Sequence, residues 1–104
     1  MKKEYSLNLP NHWEDTALIF EAIGSPIRQR ILLIFEKDEE LTIKEIASLF
    51  SISRTSIVFH LNILEKAGIL QKRSFGREAL YKLNAQPLAG ALALVLQYIK
   101  EEIE

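Results

Sequence analysis

The sequence contains no cysteine, one methionine, one tryptophan, three prolines and four glycines among 104 residues. Without cysteine there is no disulfide, thiolate metal site, iron–sulfur cluster or cysteine nucleophile. That fits a reducing compartment, and a cytoplasmic location is expected. Long hydrophobic runs are missing too. The opening Met1-Lys2-Lys3-Glu4-Tyr5 lacks the apolar stretch of a secretory signal. The apolar run from Leu88 to Leu96 is well short of the ~20 residues that span a bilayer, so no membrane partner is expected. Neither sign of charge dominates: 13 Lys and Arg stand against 14 Asp and Glu, a net of −1, which on its face argues against nucleic acid. What is present, 48% hydrophobic and 26% charged residues, is the composition of a globular chain long enough for one modest core, read as a single domain over 1–104.

Hydrophobic spacing divides the chain into four helices, a hairpin and a fifth helix. From His12 to Ile23, Trp13, Ala17, Phe20 and Ile23 recur every three or four residues and predict one buried face. Gly24 ends that helix. Ser25-Pro26 reads as an N-cap with proline at the first helical position, opening a second helix to about Glu36 that buries some of Ile27, Ile31, Leu32, Ile34 and Phe35. The charged run Glu36 to Glu40 reads as a solvated turn.

Thr42-Ile43-Lys44-Glu45 is a capping box that opens a short helix with Ile46, Ala47 and Phe50 inward. After Ser51-Ile52, Ser53 caps the next helix, about 54–66, whose buried stripe is Ile57, Leu61 and Leu64 and whose stop is Gly68. The period then switches to two, predicting strands Ile69–Ser74 and Glu78–Leu83, with Ala79, Tyr81 and Leu83 on one face. Pro87 starts the final helix, running to about 103. The expected class is mainly α with a small β-hairpin (α+β), in the order ααααββα.

Two short helices joined by a tight turn, about 42–67, form a helix-turn-helix, and a hairpin directly after them, about 69–84, is a wing. The second helix fits the major groove while the wing meets adjacent backbone. The sequence resembles the ArsR-type (SmtB-like) winged-helix transcriptional repressors. The resemblance is carried by Gly24-Ser25-Pro26-Ile27-Arg28-Gln29-Arg30-Ile31-Leu32, by Leu41 to Ala47, by Ser53 to Leu64, by Ala67-Gly68-Ile69-Leu70 and by Ala79 to Leu83. It implies a homodimer formed through the first and last helices, about 12–24 and 87–103, that binds double-stranded DNA.

Charge distribution supports a DNA partner independently. Residues 42–84 carry seven basic and three acidic side chains, a net +4, leaving −5 for the remainder. A local basic face is what phosphate contacts require. The candidate DNA-binding residues are Ser53, Arg54, Thr55, Ser56, Phe59, His60 and Asn62 on the reading helix, with Arg73 and Arg77 flanking Gly76 on the wing. Phe59 stands on the outward side, where the resemblance implies a polar residue such as histidine, and Val58 stands where it implies serine. Three readings are open for this pair: apolar contact with thymine methyls, packing of Phe59 on the wing or a neighbouring helix, or a protein-binding surface. His60 lies at the edge of the buried stripe, suited to a structural hydrogen bond or a phosphate. Arg28 and Arg30 suit either a phosphate or an internal ion pair.

The resemblance also raises metal sensing. Leu41 to Glu45 offers no thiolate, residues 87–104 offer neither Asp nor His, and only His12 and His60 remain, so no metal and no cofactor are expected. Nothing names a substitute effector. In the last helix Leu88, Ala89, Ala91, Leu92, Ala93, Leu94, Val95, Leu96 and Ile99 cover nearly the whole circumference. One face suffices for a small core, so the surplus calls for a second copy, unless the helix is wholly buried within the monomer. No catalytic constellation or phosphate-binding glycine loop is present, so an enzyme is not expected. The expected function is a dimeric repressor binding an inverted repeat; the alternative is a winged-helix protein-interaction module with weak or no DNA binding.

Overall fold

The computed structural model describes residues 2–104; Met1 of the expected 1–104 unit lies outside the described residues. The elements are α1 (Lys2–Leu7), α2 (Asn11–Ile23), α3 (Pro26–Leu33), β1 (Glu40–Thr42), α4 (Ile43–Ser48), α5 (Arg54–Lys66), β2 (Leu70–Phe75), β3 (Glu78–Leu83), α6 (Gln86–Tyr98) and a π-helical turn Ile99–Ile103. The class is mainly α with a hairpin wing, as the periodicity predicts. The expected order lacked α1, β1 and the π turn, and ran α3 three residues too far.

The local signals act as their chemistry dictates. The Ser25 side chain accepts from the Arg28 amide, and Pro26 occupies the first turn, where its missing N–H costs nothing. Thr42 and Glu45 complete a reciprocal capping box at 3.1 and 3.0 Å. Ser53 Oγ accepts from the Ser56 amide at 3.1 Å and starts α5. Ile57, Leu61 and Leu64 are fully buried, joined in the core by Ile31, Ile46, Ile69, Leu70 and Tyr81.

The buried face of α2 differs from expectation. Thr16, Ile19 and Ala22 point into the core, with Ile23 beside them, whereas Ala17 and Phe20 are exposed and Trp13 is only half-buried. At 100° per residue the two stripes lie about 110° apart around the helix. The expected stripe was a genuine apolar face. It is not the one that the core covers. Trp13 instead meets Tyr98 edge-on at 5.5 Å, joining the start of α2 to the end of α6.

The strands form one antiparallel sheet in the order β1-β3-β2. Leu41 pairs with Tyr81, which pairs in turn with Lys72. The charged run after α3 is a turn exposed at Glu36, Lys37 and Asp38, as expected, and only its end joins the sheet. Asp38 turns the chain with φ of 61°, a left-handed conformation that aspartate tolerates, and Glu40 enters the edge strand. The hairpin closes through Gly76 and Arg77, with Gly76 at φ of 62° as the first loop residue, the position where a II′ turn requires glycine.

The wing is tied to α5 through Gly68. Its φ of 79° sends the chain out of the helix, the Gly68 carbonyl accepts from Asn84 Nδ2 at 3.1 Å, and the Asn84 amide donates to Ile69 at 2.7 Å. A Cβ at Gly68 finds space, its nearest neighbour being Pro87 at 3.5 Å, so the cost of a side chain there is conformational and not steric. Gly68→Ala is expected to lower stability by about 1–2 kcal/mol. Urea unfolding checks this, and an unchanged midpoint would contradict the requirement for a left-handed residue.

Candidate nucleic-acid interface

Burial of Ile57, Leu61 and Leu64 turns the opposite side of α5 outward. Thr55, Phe59, Asn62 and Lys66, at helical spacing, are all exposed, and Arg54 is exposed at the first turn. Phe59 is 59% exposed, and its ring stands edge-on to His60 at 5.3 Å. Val58 is half-buried at the margin. Ser53 and Ser56 are partly occupied, because Ser53 Oγ both caps the helix and contacts Ser56 Oγ at 3.0 Å. Arg54, Thr55 and Asn62 make no side-chain hydrogen bond or ion pair among the described residues. These three, Phe59 and Lys66 are the side chains that α5 presents outward.

His60 does something else. Its Nδ1 lies 3.1 Å from Arg28 Nη1, and a guanidinium only donates, so Nδ1 accepts and the ring proton sits on Nε2. Arg28 in turn donates from Nε to the Ala22 carbonyl at 2.6 Å and from Nη2 to the Glu21 carbonyl at 3.4 Å. One guanidinium thus closes the C-terminal end of α2 and holds α5 against it. The internal partners of Arg28 are backbone carbonyls and a ring nitrogen, not the carboxylate of the expected ion pair. Backbone carbonyls at a helix end leave no sequence signal, although they are natural partners for a cation. Arg30 lies over the Phe50 ring at 5.1 Å.

On the wing the two arginines part company. Arg73 is engaged two-fold by Glu40, Nε to Oε2 at 2.5 Å and Nη2 to Oε1 at 3.0 Å, and stands 5.5 Å from the Phe75 ring. Arg77, at the tip, is exposed and makes no ion pair among the described residues. Lys82 approaches Asp38 at 3.8 Å. The basic excess of residues 42–84 is therefore partly met by acids of the preceding turn, which leaves Lys44, Arg54, Lys66, Lys72 and Arg77 as its open cations among the described residues. Among the described residues no group of three or more His, Asp or Glu could hold a metal ion.

The sequence profile of a helix-turn-helix domain family matches residues 23–73. The transcriptional repressor SdpR of Bacillus subtilis is 35% identical over 83 residues, covering 80% of this chain and 91% of that protein. An ArsR-like transcriptional regulator from Rhodococcus sp. RHA1 superposes with a TM-score of 0.78 at 23% identity, over 88% of this chain and 86% of that one. The homodimeric winged helix-turn-helix DNA-binding domain Mb0332 of Mycobacterium bovis does so with a TM-score of 0.66 at 21% identity, over 93% of both chains.

Burial and the Arg28 charge push the His60 pKa below its ordinary 6.5, so the folded state prefers the neutral ring. As pH falls past 6.5 the unfolded chain takes up the proton first. This contribution to stability is complete above that pH and is lost as pH drops through the lower folded value. His60→Asn keeps a neutral acceptor for Arg28 without the titration. Denaturant unfolding across this range is expected to show the wild type losing stability relative to His60→Asn on acidification, and parallel profiles would contradict it.

Proposed function

Because the chain belongs to the ArsR-type winged helix-turn-helix family of transcriptional regulators, we propose that it is a cytoplasmic, dimeric repressor that binds an inverted repeat in double-stranded DNA. In this reading α5 lies in the major groove and the β2–β3 wing rests on adjacent backbone. The carrying observation is the outward row Arg54, Thr55, Phe59 and Asn62, held by a fully buried opposite face. Thr55 and Asn62 supply polar groups for base edges, and Phe59 supplies an apolar surface for a thymine methyl. Arg54 and Arg77 neutralise phosphate, and so position the protein without selecting sequence. Ser53 and Ser56 shape the start of the helix, and His60 holds its rotation.

Two apolar surfaces support the dimer. On α2 the Trp13, Ala17 and Phe20 stripe is not covered by the core, and on α6 only Ala91 is fully buried while Leu92 and Leu96 are half exposed. The Cα radius of gyration, 16.3 Å, also exceeds the ~13 Å of a compact chain of about 100 residues, as expected where the partner completes the packing. A two-fold axis through these helices sets two reading helices about 34–36 Å apart, one turn of DNA.

Selection of bound duplexes from a random pool at several salt concentrations tests the reading. Enrichment of an inverted repeat with a steep salt slope is expected. Absence of both would favour a protein partner for the exposed Phe59 and the half-buried Val58 beside it. Phe59→Ser is expected to change base preference, whereas Arg77→Ala weakens binding to all sequences and lowers the salt slope by about one unit. Sedimentation should give twice the 11.9 kDa chain mass. Leu96→Glu should give a folded monomer by circular dichroism, and a mass unchanged by this substitution would place the interface elsewhere.

A further inference from the structure

The outer face of the sheet holds an acid where a DNA-binding surface has most to lose from one. Glu40 on β1 is paired with Lys82, and Arg73 on β2 with Leu80, so the two side chains lie diagonally across β3. Alternation puts Glu40, Lys82, Gln71 and Arg73 on the same face. There the carboxylate meets the guanidinium through two parallel hydrogen bonds, while the rest of the guanidinium lies near Phe75. Both remain open to solvent, with 54% of the Arg73 side chain and 33% of the Glu40 side chain exposed.

We propose that Glu40 is an internal competitor for DNA phosphate, holding Arg73 in the unbound protein and yielding it when the wing meets the DNA backbone. The proposal rests on the DNA-binding reading above. A planar guanidinium fork takes carboxylate and phosphate oxygens with the same two-point geometry, so Glu40 occupies Arg73 in the way a phosphate would. An exposed pair of this kind is readily exchanged, because water already screens it. Glu40 stays ionised in this setting: the hydrogen bonds from Arg73 hold the carboxyl below its usual range against the opposing effect of burial, with lesser help from the charges of Arg73 and Lys82. Once Arg73 leaves, Glu40 faces the phosphates as a like charge. The pair therefore sets an electrostatic threshold on the wing, met by closely spaced phosphates but not by dilute anions. Glu40 is a positioning residue acting through Arg73, whereas Arg77, with no acid partner among the described residues, contacts DNA directly.

The test is fluorescence anisotropy with a mixed-sequence duplex of about 30 bp, titrated from about 50 to 200 mM salt. Wild type, Glu40→Gln, Arg73→Ala and the double variant are compared. Glu40→Thr serves as a second neutral variant because a β-branched residue favours the edge strand, and thermal unfolding confirms that each wing is formed. Removing the acid is expected to tighten binding about three- to tenfold and to steepen the salt slope by up to about one unit. Both gains should shrink to near nothing when Arg73 is alanine. Equal tightening with and without Arg73 would show a bulk charge effect and overturn the exchange. Weaker binding on loss of Glu40 would also overturn it, since Glu40 would then be presenting Arg73 to DNA. If the wild type binds no duplex at any salt concentration, the DNA-binding reading itself fails; binding without coupling between Glu40 and Arg73 sinks the competitor alone.

Discussion

Burial of Ile57, Leu61 and Leu64 sets the rotation of α5, and the rest of the interface follows from that rotation. Fully burying three such side chains contributes about 1.5–3 kcal/mol each, more than any polar contact on the outer face can oppose. A helix rolled by one residue would turn Phe59 or Asn62 toward the core and carry Leu61 to solvent. The Arg28–His60 contact secures the same rotation from the side. It works because it is directional: two bonds to carbonyls of α2 fix the plane of the guanidinium, and that plane aims Nη1 at His60 on α5.

Electrostatics around this frame are local and not global. A chain of net charge −1 presents a basic helix and wing because most of its acids lie in α2, in the turn after α3 and in the π-helical turn and residue that follow α6. That separation is incomplete at β1. The acidic turn after α3 folds back onto the sheet, so Asp38 and Glu40 moderate Lys82 and Arg73 at the root and flank of the wing, and the tip is left to Arg77. The gradient runs along the hairpin.

Much of the architecture was legible because local chemistry and tertiary structure agree. Ser25-Pro26, the Thr42/Glu45 box, Ser53 and Gly68 each satisfy a backbone need that exists before packing, and each falls where the sequence places it. What escaped depended on long-range partners. β1 is three residues long, and only pairing with a strand some forty residues later makes it a strand. On α2, two apolar faces compete, and periodicity cannot say which one meets the core of the same chain. Among the proposed DNA contacts, the exposed row on α5 stands out from spacing alone. Arg73 and His60 read as open groups in one dimension, and the fold brings each a partner from a segment more than thirty positions away.

The Trp13–Tyr98 contact has a consequence for how the molecule comes together. These residues are separated by 85 positions, so α2 and α6 meet only after nearly the whole chain has been arranged between them. The helix-turn-helix and the hairpin close short loops and carry little of that entropic burden. In the proposed dimer the late-closing pair is also the pair that recruits the second subunit. Subunit concentration then governs pairing of the chains as well as DNA occupancy. A freshly made chain at low copy number would hold a formed reading head with its apolar seam uncovered, and repression would begin as a collective event once the chains are numerous enough to pair.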